Sequence, residues 1–165
     1  MKRRKKSTHV PTFSNLERTA CEALLARNSV GRIAYAFHNR VDIQPINYVY
    51  VGEWLYGRTS PGTKLEVLKH QPWVAFEVDE VEAQFEWKSV VVRGGFYTFS
   101  HDGPETEARS WEQAIDHLRT LLPETWTGAD PVAFRNVVFG IHVDEMTGRM
   151  ATLGGSAAPV PFTSP

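Results

Sequence analysis

The sequence predicts an α+β fold that is mainly β, a small antiparallel barrel of about six strands with helices covering an open seam. Three observations carry this. Apolar residues alternate in short runs divided by turn residues, the links between runs are short enough for antiparallel hairpins, and the helical stretches fall at the margins. With 165 residues, 42% apolar and 12% aromatic, the chain can bury one sizeable core, and two domains would be cramped. The 18 basic and 19 acidic side chains nearly cancel, so bulk charge does not point to a nucleic-acid partner.

The chain opens on Lys2-Arg3-Arg4-Lys5-Lys6, followed by Ser7-Thr8-His9-Val10-Pro11 rather than by an apolar segment. It therefore does not read as a secretory signal; a disordered basic tail over 1–13 is expected, with weak contact to nucleic acid or an anionic surface as the lesser reading. The domain spans 14–150, and 151–165, rich in Gly, Ala, Ser and Pro, reads as a C-terminal arm or disordered tail. No run approaches the length of a membrane span. Cys21 is the single cysteine, which leaves no disulfide framework or thiolate cluster and agrees with a cytoplasmic location.

Ser14, with Glu17 three positions on, forms a capping box that predicts a helix from Leu16 to Arg27. Cys21 inside it has no activating neighbour in sequence and reads as a small packed side chain. Strands follow at Gly31 to Phe37 and Val41 to Val51, with His38-Asn39-Arg40 as the turn, and Gly52-Glu53 makes a tight hairpin to Trp54. A short helix, Gly62 to Lys69, stops at Pro72. Trp73 to Glu80 places Val74, Phe76 and Val78 on one face, and Asp79, Glu80 and Glu82 read as a solvated strand end. Ser89 to Phe99 is interrupted by Gly94-Gly95, where a strand bends sharply or bulges to close a barrel. Asp102-Gly103-Pro104 introduces a helix to about Leu121, whose Ala108, Trp111, Ile115 and Leu118 share a face and set it on the barrel. Pro123 to Pro131 is loop, and Asn136 to Val143 is the last strand, which Asp144 to Arg149 leaves.

The chemistry concentrates at Arg58-Thr59-Ser60-Pro61-Gly62-Thr63-Lys64, where a strand gives way to a helix. Thr59 or Ser60 can cap that helix, Pro61 suits its first position, and the first-turn N–H groups face any anion there. Arg58, Thr63 and Lys64 add charge and hydroxyls, which reads as a phosphate cradle; a capped surface helix with a solvated Lys64 is the competing reading. The spacing Gly57 to Gly62 imitates a P-loop, but Thr63 comes before Lys64, which rotates each side chain by about 100° on a helix. Nucleotide hydrolysis is therefore not expected. His38, His70, His101, His117 and His142 are scattered, so no metal site is expected.

The order of strand, hairpin, strand, R-T-S-P-G-T-K, helix and strand, then Trp87-Lys88-Ser89-Val90-Val91-Val92-Arg93-Gly94, resembles the flavin-binding family of pyridoxamine 5′-phosphate oxidase. Within it the chain is most similar to the branch that includes nitroimidazole-resistance proteins. The resemblance runs from Ala20 to Phe99, strongest at Pro45-Ile46-Asn47-Tyr48-Val49-Tyr50, at the cradle and after Trp87, with a looser echo at Asp144 to Arg149. It implies a split β-barrel of Greek-key type and FMN bound between the subunits of a homodimer. By position, Arg58, Thr59, Thr63 and Lys64 hold the FMN phosphate, and the backbone of Pro45, Ile46 and Asn47 runs past the isoalloxazine ring. Ser89 stands where the family often has a Gln that contacts flavin. Trp87, two residues earlier on the same face, is read equally as a flavin contact or as core packing, and Tyr48 and Tyr50 as barrel aromatics.

Two departures limit what is carried over. Gly57 stands where the nitroimidazole-resistance proteins have a His tied to their activity, and the end of the chain lacks the Trp and Arg with which the oxidase holds its substrate. Arg149 can reach a ligand or a partner subunit, but a solvated Arg is the favoured reading. The resemblance implies an FMN-dependent oxidoreductase that moves electrons from a reduced nicotinamide to a small acceptor, with no nucleic acid or membrane as partner. The alternatives are a non-catalytic flavin-binding or sensor protein, or the same barrel holding haem or a deazaflavin.

Overall fold

A computed structural model describes residues 10–154, so the expectations for the basic cluster and for the chain's last eleven residues lie outside the described residues. The first half comprises β1 (Pro11–Leu16), α1 (Arg18–Arg27), β2 (Val30–Phe37), β3 (Arg40–Val51), β4 (Trp54–Thr59) and α2 (Thr63–His70). The second comprises β5 (Trp73–Ala83), β6 (Glu86–Phe99), α3 (Glu105–Leu118), β7 (Val137–His142) and β8 (Glu145–Leu153). Every strand pairing is antiparallel.

The sheet runs β1-β8-β6-β5-β2-β3-β4-β7, and a second pairing of β6 with β7 closes six of these strands into a barrel. The closure depends on β6. Its Trp87–Arg93 stretch pairs with β8, whereas Phe96–Phe99 pairs with β7. Between the two lies Gly94, where a Cβ would stand 1.7 Å from the carbonyl oxygen of His142. Only a glycine lets the two backbones cross so closely, and the split barrel expected from the sequence follows from that bend.

The interior is filled by alternate residues from every barrel strand, among them Ile33, Tyr48, Leu55, Phe76, Val90, Phe96 and Ile141. Tyr48 and Phe76 meet edge to face with ring centroids 4.8 Å apart, and truncating a buried ring of this kind costs about 3–5 kcal/mol. Leu65, Val67 and Leu68 of α2 and Cys21, Leu24 and Leu25 of α1 complete the same core. Cys21 is packed as expected, its thiol pushed up by burial and lying 3.8 Å from the carbonyl oxygen of Leu16. On the outside, α3 lies across β4 and β7, where Ala114, Ile115 and Leu118 cover Tyr56 and Val138.

Several boundaries differ from expectation. Ser14 does not cap a helix: it is in β1, opposite Met150, and Glu17 occupies the N-cap of α1 without a side-chain cap. The ladder to β8 takes the polar backbone of residues 11–16, so the expected tail, 1–13, gives up its last three residues to a strand. The segment after β7 is itself a strand, β8, which continues through Leu153 rather than leaving the sheet. At Gly148 its inward contact is a missing side chain, since a Cβ there would lie 2.3 Å from Cys21 Sγ, so the apolar alternation is interrupted between Met146 and Ala151. The turn after β2 has His38 and Asn39 at φ 45° and 61°, the left-handed pair that a two-residue hairpin requires.

Candidate cofactor site

The β4–α2 junction opens on a cavity of about 360 Å³ at the rim of the barrel, bounded by the Thr59-to-Lys64 loop and by the β2–β3 hairpin. Thr59, Thr63 and Lys64 line one wall, and Tyr35, Asp42 and Gln44 the other. The Gln44 side-chain amide donates to the Tyr35 hydroxyl at 3.2 Å, and that hydroxyl donates to Asp42 at 3.4 Å. Burial and the nearby Asp42 raise the Tyr35 pKa, which keeps it a donor. Lys64 is half-buried, and its ammonium is disfavoured first by desolvation and then by the neighbouring Arg135.

The helix start is built differently from the expected cap. Gly62 is the N-cap of α2, with no side-chain cap, so neither Thr59 nor Ser60 serves that role and Pro61 precedes the first helical residue by two positions. The Thr59 and Ser60 hydroxyls are thereby left at the cavity wall.

Arg58 does not line this cavity. Its side chain is 8% exposed, and its two terminal nitrogens donate to Asp130 at 2.5 and 2.9 Å, the carboxylate being 2% exposed. The carboxylate also accepts from the backbone N–H groups of Trp126 and Val132 at 2.9 and 3.0 Å, and the guanidinium holds it well below the usual carboxylate range. Arg58 thus pins the loop after α3 to β4, and the geometry does not support its expected place on a phosphate.

Of the segment expected beside a flavin ring, Ile46 points into the core while Pro45 and Asn47 face outward. Across the sheet Pro45 is paired with Arg32 and Arg32 with Glu77. Arg32 Nη1 donates to Glu77 at 2.9 Å and to Asp79 at 2.6 Å, and Ser89 Oγ donates to Glu77 at 3.1 Å. Side chains therefore connect Ser89 to Arg32 of β2, the strand beside the β3 segment, yet β6 and β3 are three inter-strand steps apart, about 14 Å. Trp87 lies 6.2 Å from the Phe13 ring beside a separate recess of about 250 Å³. Within one chain, Trp87 and Ser89 do not meet the cradle. Arg149 is opposite Ser89 on β8.

Gly57 is enforced by packing. A Cβ there would stand 2.4 Å from Phe139 Cζ and 3.0 Å from the Asn47 carbonyl oxygen, so a larger residue needs Phe139 to move. Sequence reasoning missed Tyr35, Gln44 and Arg135. Tyr35 and Gln44 carry no motif, and Arg135 is 71 positions from Lys64, so only the strand register brings it near.

A closed six-stranded barrel with this rim cavity is the architecture of a split-barrel cofactor-binding protein. The family model described as pyridoxamine 5′-phosphate oxidase matches residues 17–150, and the chain belongs to that family. An uncharacterised protein of Rhizobium meliloti (strain 1021) is 31% identical over 150 residues, covering 84% of this chain and 95% of its own. The crystal structure of an FAD-binding protein from Mesorhizobium loti superposes with a TM-score of 0.66 at 29% identity, over 83% of this chain and 96% of that one. A candidate 5-nitroimidazole antibiotic resistance protein from Bacteroides thetaiotaomicron gives 0.67 at 18% identity, over 87% and 90%, and shares the fold. Among the described residues, no helix is long and apolar enough to cross a membrane.

Proposed function

We propose that the protein binds a flavin and acts as an FMN-dependent oxidoreductase, passing electrons from a reduced nicotinamide donor to a small acceptor. The observation that carries this is the rim cavity of a family member in which a half-buried Lys64, with no carboxylate partner among the described residues, stands beside the Thr59 and Thr63 hydroxyls. A cation that loses hydration without gaining a carboxylate fits a phosphate-bearing ligand. Bound flavin supplies hydride and electron transfer, while the chain's residues anchor and orient it. Lys64 and the threonines hold the phosphate, and Pro45 to Asn47 present backbone and side chain to the ring.

The reading includes a homodimer. Trp87 and Ser89 lie too far from the cradle of their own chain, so in the proposed dimer the face carrying them meets the cavity of the other subunit. Val41 and Ile43, 74% and 64% exposed on the outer face of β3, supply apolar surface for such contact. FAD is the second reading, because the Mesorhizobium loti relative is an FAD-binding protein. The single, buried cysteine suits a cytoplasmic setting.

The test is a visible spectrum after incubation with FMN, or with FAD, and desalting, followed by NADH and NADPH without oxygen. Retained flavin that bleaches is the expected result; retained flavin that stays oxidised removes the nicotinamide-linked activity, and no retained flavin removes the reading. Lys64→Ala is expected to weaken binding by about tenfold or more, by fluorescence titration.

A further inference from the structure

Arg135 stands two residues before Val137, which pairs with Thr59 at the end of β4. The barrel's register therefore carries Arg135 to the rim where the Thr59-to-Lys64 loop opens. Its Nη1 donates to Asn47 Oδ1 on β3 at 3.4 Å, and its guanidinium carbon lies 5.9 Å from the Phe134 ring centroid. β3 and the lead into β7 thus meet, through an amide and a cation, beside the loop that enters α2, and Lys64 of α2 is near enough for Arg135 to disfavour its charge.

None of the ion pairs among the described residues includes Lys64 or Arg135. Asp130, five residues before Arg135, is the carboxylate best placed by sequence to pair with it, but Asp130 is fully occupied by Arg58 and two backbone N–H groups. Asp42, on the far wall of the cavity, accepts from the Tyr35 hydroxyl. The Lys64 ammonium is disfavoured first by burial and then by the nearby Arg135. Two neighbouring like charges that have no ion-pair partner among the described residues suit an anion placed between them.

We propose that Arg135 is a second cation of the cradle, closing with Lys64 on the phosphate or diphosphate of the ligand. The naming of that ligand as a flavin rests on the function proposed above; the anion clamp does not. The guanidinium offers a planar fork to phosphate oxygens, and the ammonium offers a point charge. Asn47 is a positioning residue that orients the fork, and the Arg58–Asp130 pair keeps the Asp130 carboxylate engaged elsewhere.

The experiment titrates the full chain, R135A and R135K with riboflavin, FMN and FAD, following flavin fluorescence, with thermal melting to verify folding. R135A is expected to weaken FMN and FAD by about ten- to a hundredfold while riboflavin changes by less than about twofold. R135K is expected to recover part of the loss, because charge returns without the fork. Equal FMN and FAD affinities in R135A and the unsubstituted protein, or a parallel fall for riboflavin, would overturn the clamp. If the unsubstituted protein binds no flavin, the flavin reading fails, and inorganic pyrophosphate measured by isothermal titration decides the clamp. Binding lost in R135A supports it; no binding, or equal binding, overturns it.

Discussion

Tyr48 is enclosed completely, yet its hydroxyl donates to the carbonyl oxygen of Leu25 at 2.8 Å. That carbonyl belongs to the last turn of α1, where no backbone donor follows, and Asn28 serves the Leu24 carbonyl in the same way at 2.8 Å. Burial raises the phenol pKa well above its usual range, so the bond persists at any pH the fold tolerates. Tyr48→Phe strands the Leu25 carbonyl and is expected to cost about 1–3 kcal/mol, read as a lower urea midpoint at unchanged slope. Gly57 makes the opposite case, a side chain that must be absent. Phe139 is buried and stacked on Phe96 at 4.9 Å, so it has little room to yield. Gly57→Ala is expected to lower stability by about 1–3 kcal/mol in the same assay. The packing therefore excludes the His of the nitroimidazole-resistance branch without a rearranged barrel.

At the scale of elements, α1 is fastened to β5 by charge as well as by packing. Arg27 donates through two nitrogens to Glu80, both at 2.7 Å, and Asn28 adds a third bond at 2.8 Å. These bonds lower the Glu80 carboxyl from 4.5 to about 2. A folded-state pKa below the unfolded one stabilises the protein fully above the unfolded value, and the stabilisation is lost as pH falls through the folded value. The melting temperature is therefore expected to drop between pH 4.5 and 2, and Glu80→Gln to flatten that drop; equal slopes would remove Glu80 from the acid response. The acidic strand end, expected to be solvated, thus includes a clamp at Glu80. Arg27 and Glu80 are 53 positions apart and no periodicity joins them.

For the whole molecule, the proposed dimer predicts which surface is covered. Val41 and Ile43 alternate with the inward residues of β3 and pair across to Ala36 and Ala34 of β2, which makes one outward face of small and branched apolar groups. Replacing both, Val41→Asp with Ile43→Asp, adds four charges to a two-fold interface and is expected to yield a monomer by sedimentation while the far-UV spectrum is kept. A monomeric unsubstituted protein would remove the dimer and leave Trp87 and Ser89 without a role at the cavity.

Local patterning alone determined the strand and helix types around the barrel, the two tight hairpins, the Gly94 bend and the cavity loop from Thr59 to Lys64, because alternation, turn chemistry and glycine demand are short-range properties. Tertiary structure decided what depends on pairing across the chain. Ser14 and Glu17 spell a capping box, but the ladder to β8 outbids a local cap for the same backbone. Arg58 looks like a phosphate ligand beside Thr59, yet Asp130, far along the chain, takes both its nitrogens. Arg135 reaches the cradle only because β4 and β7 are in register, a relation between distant segments that no local pattern encodes.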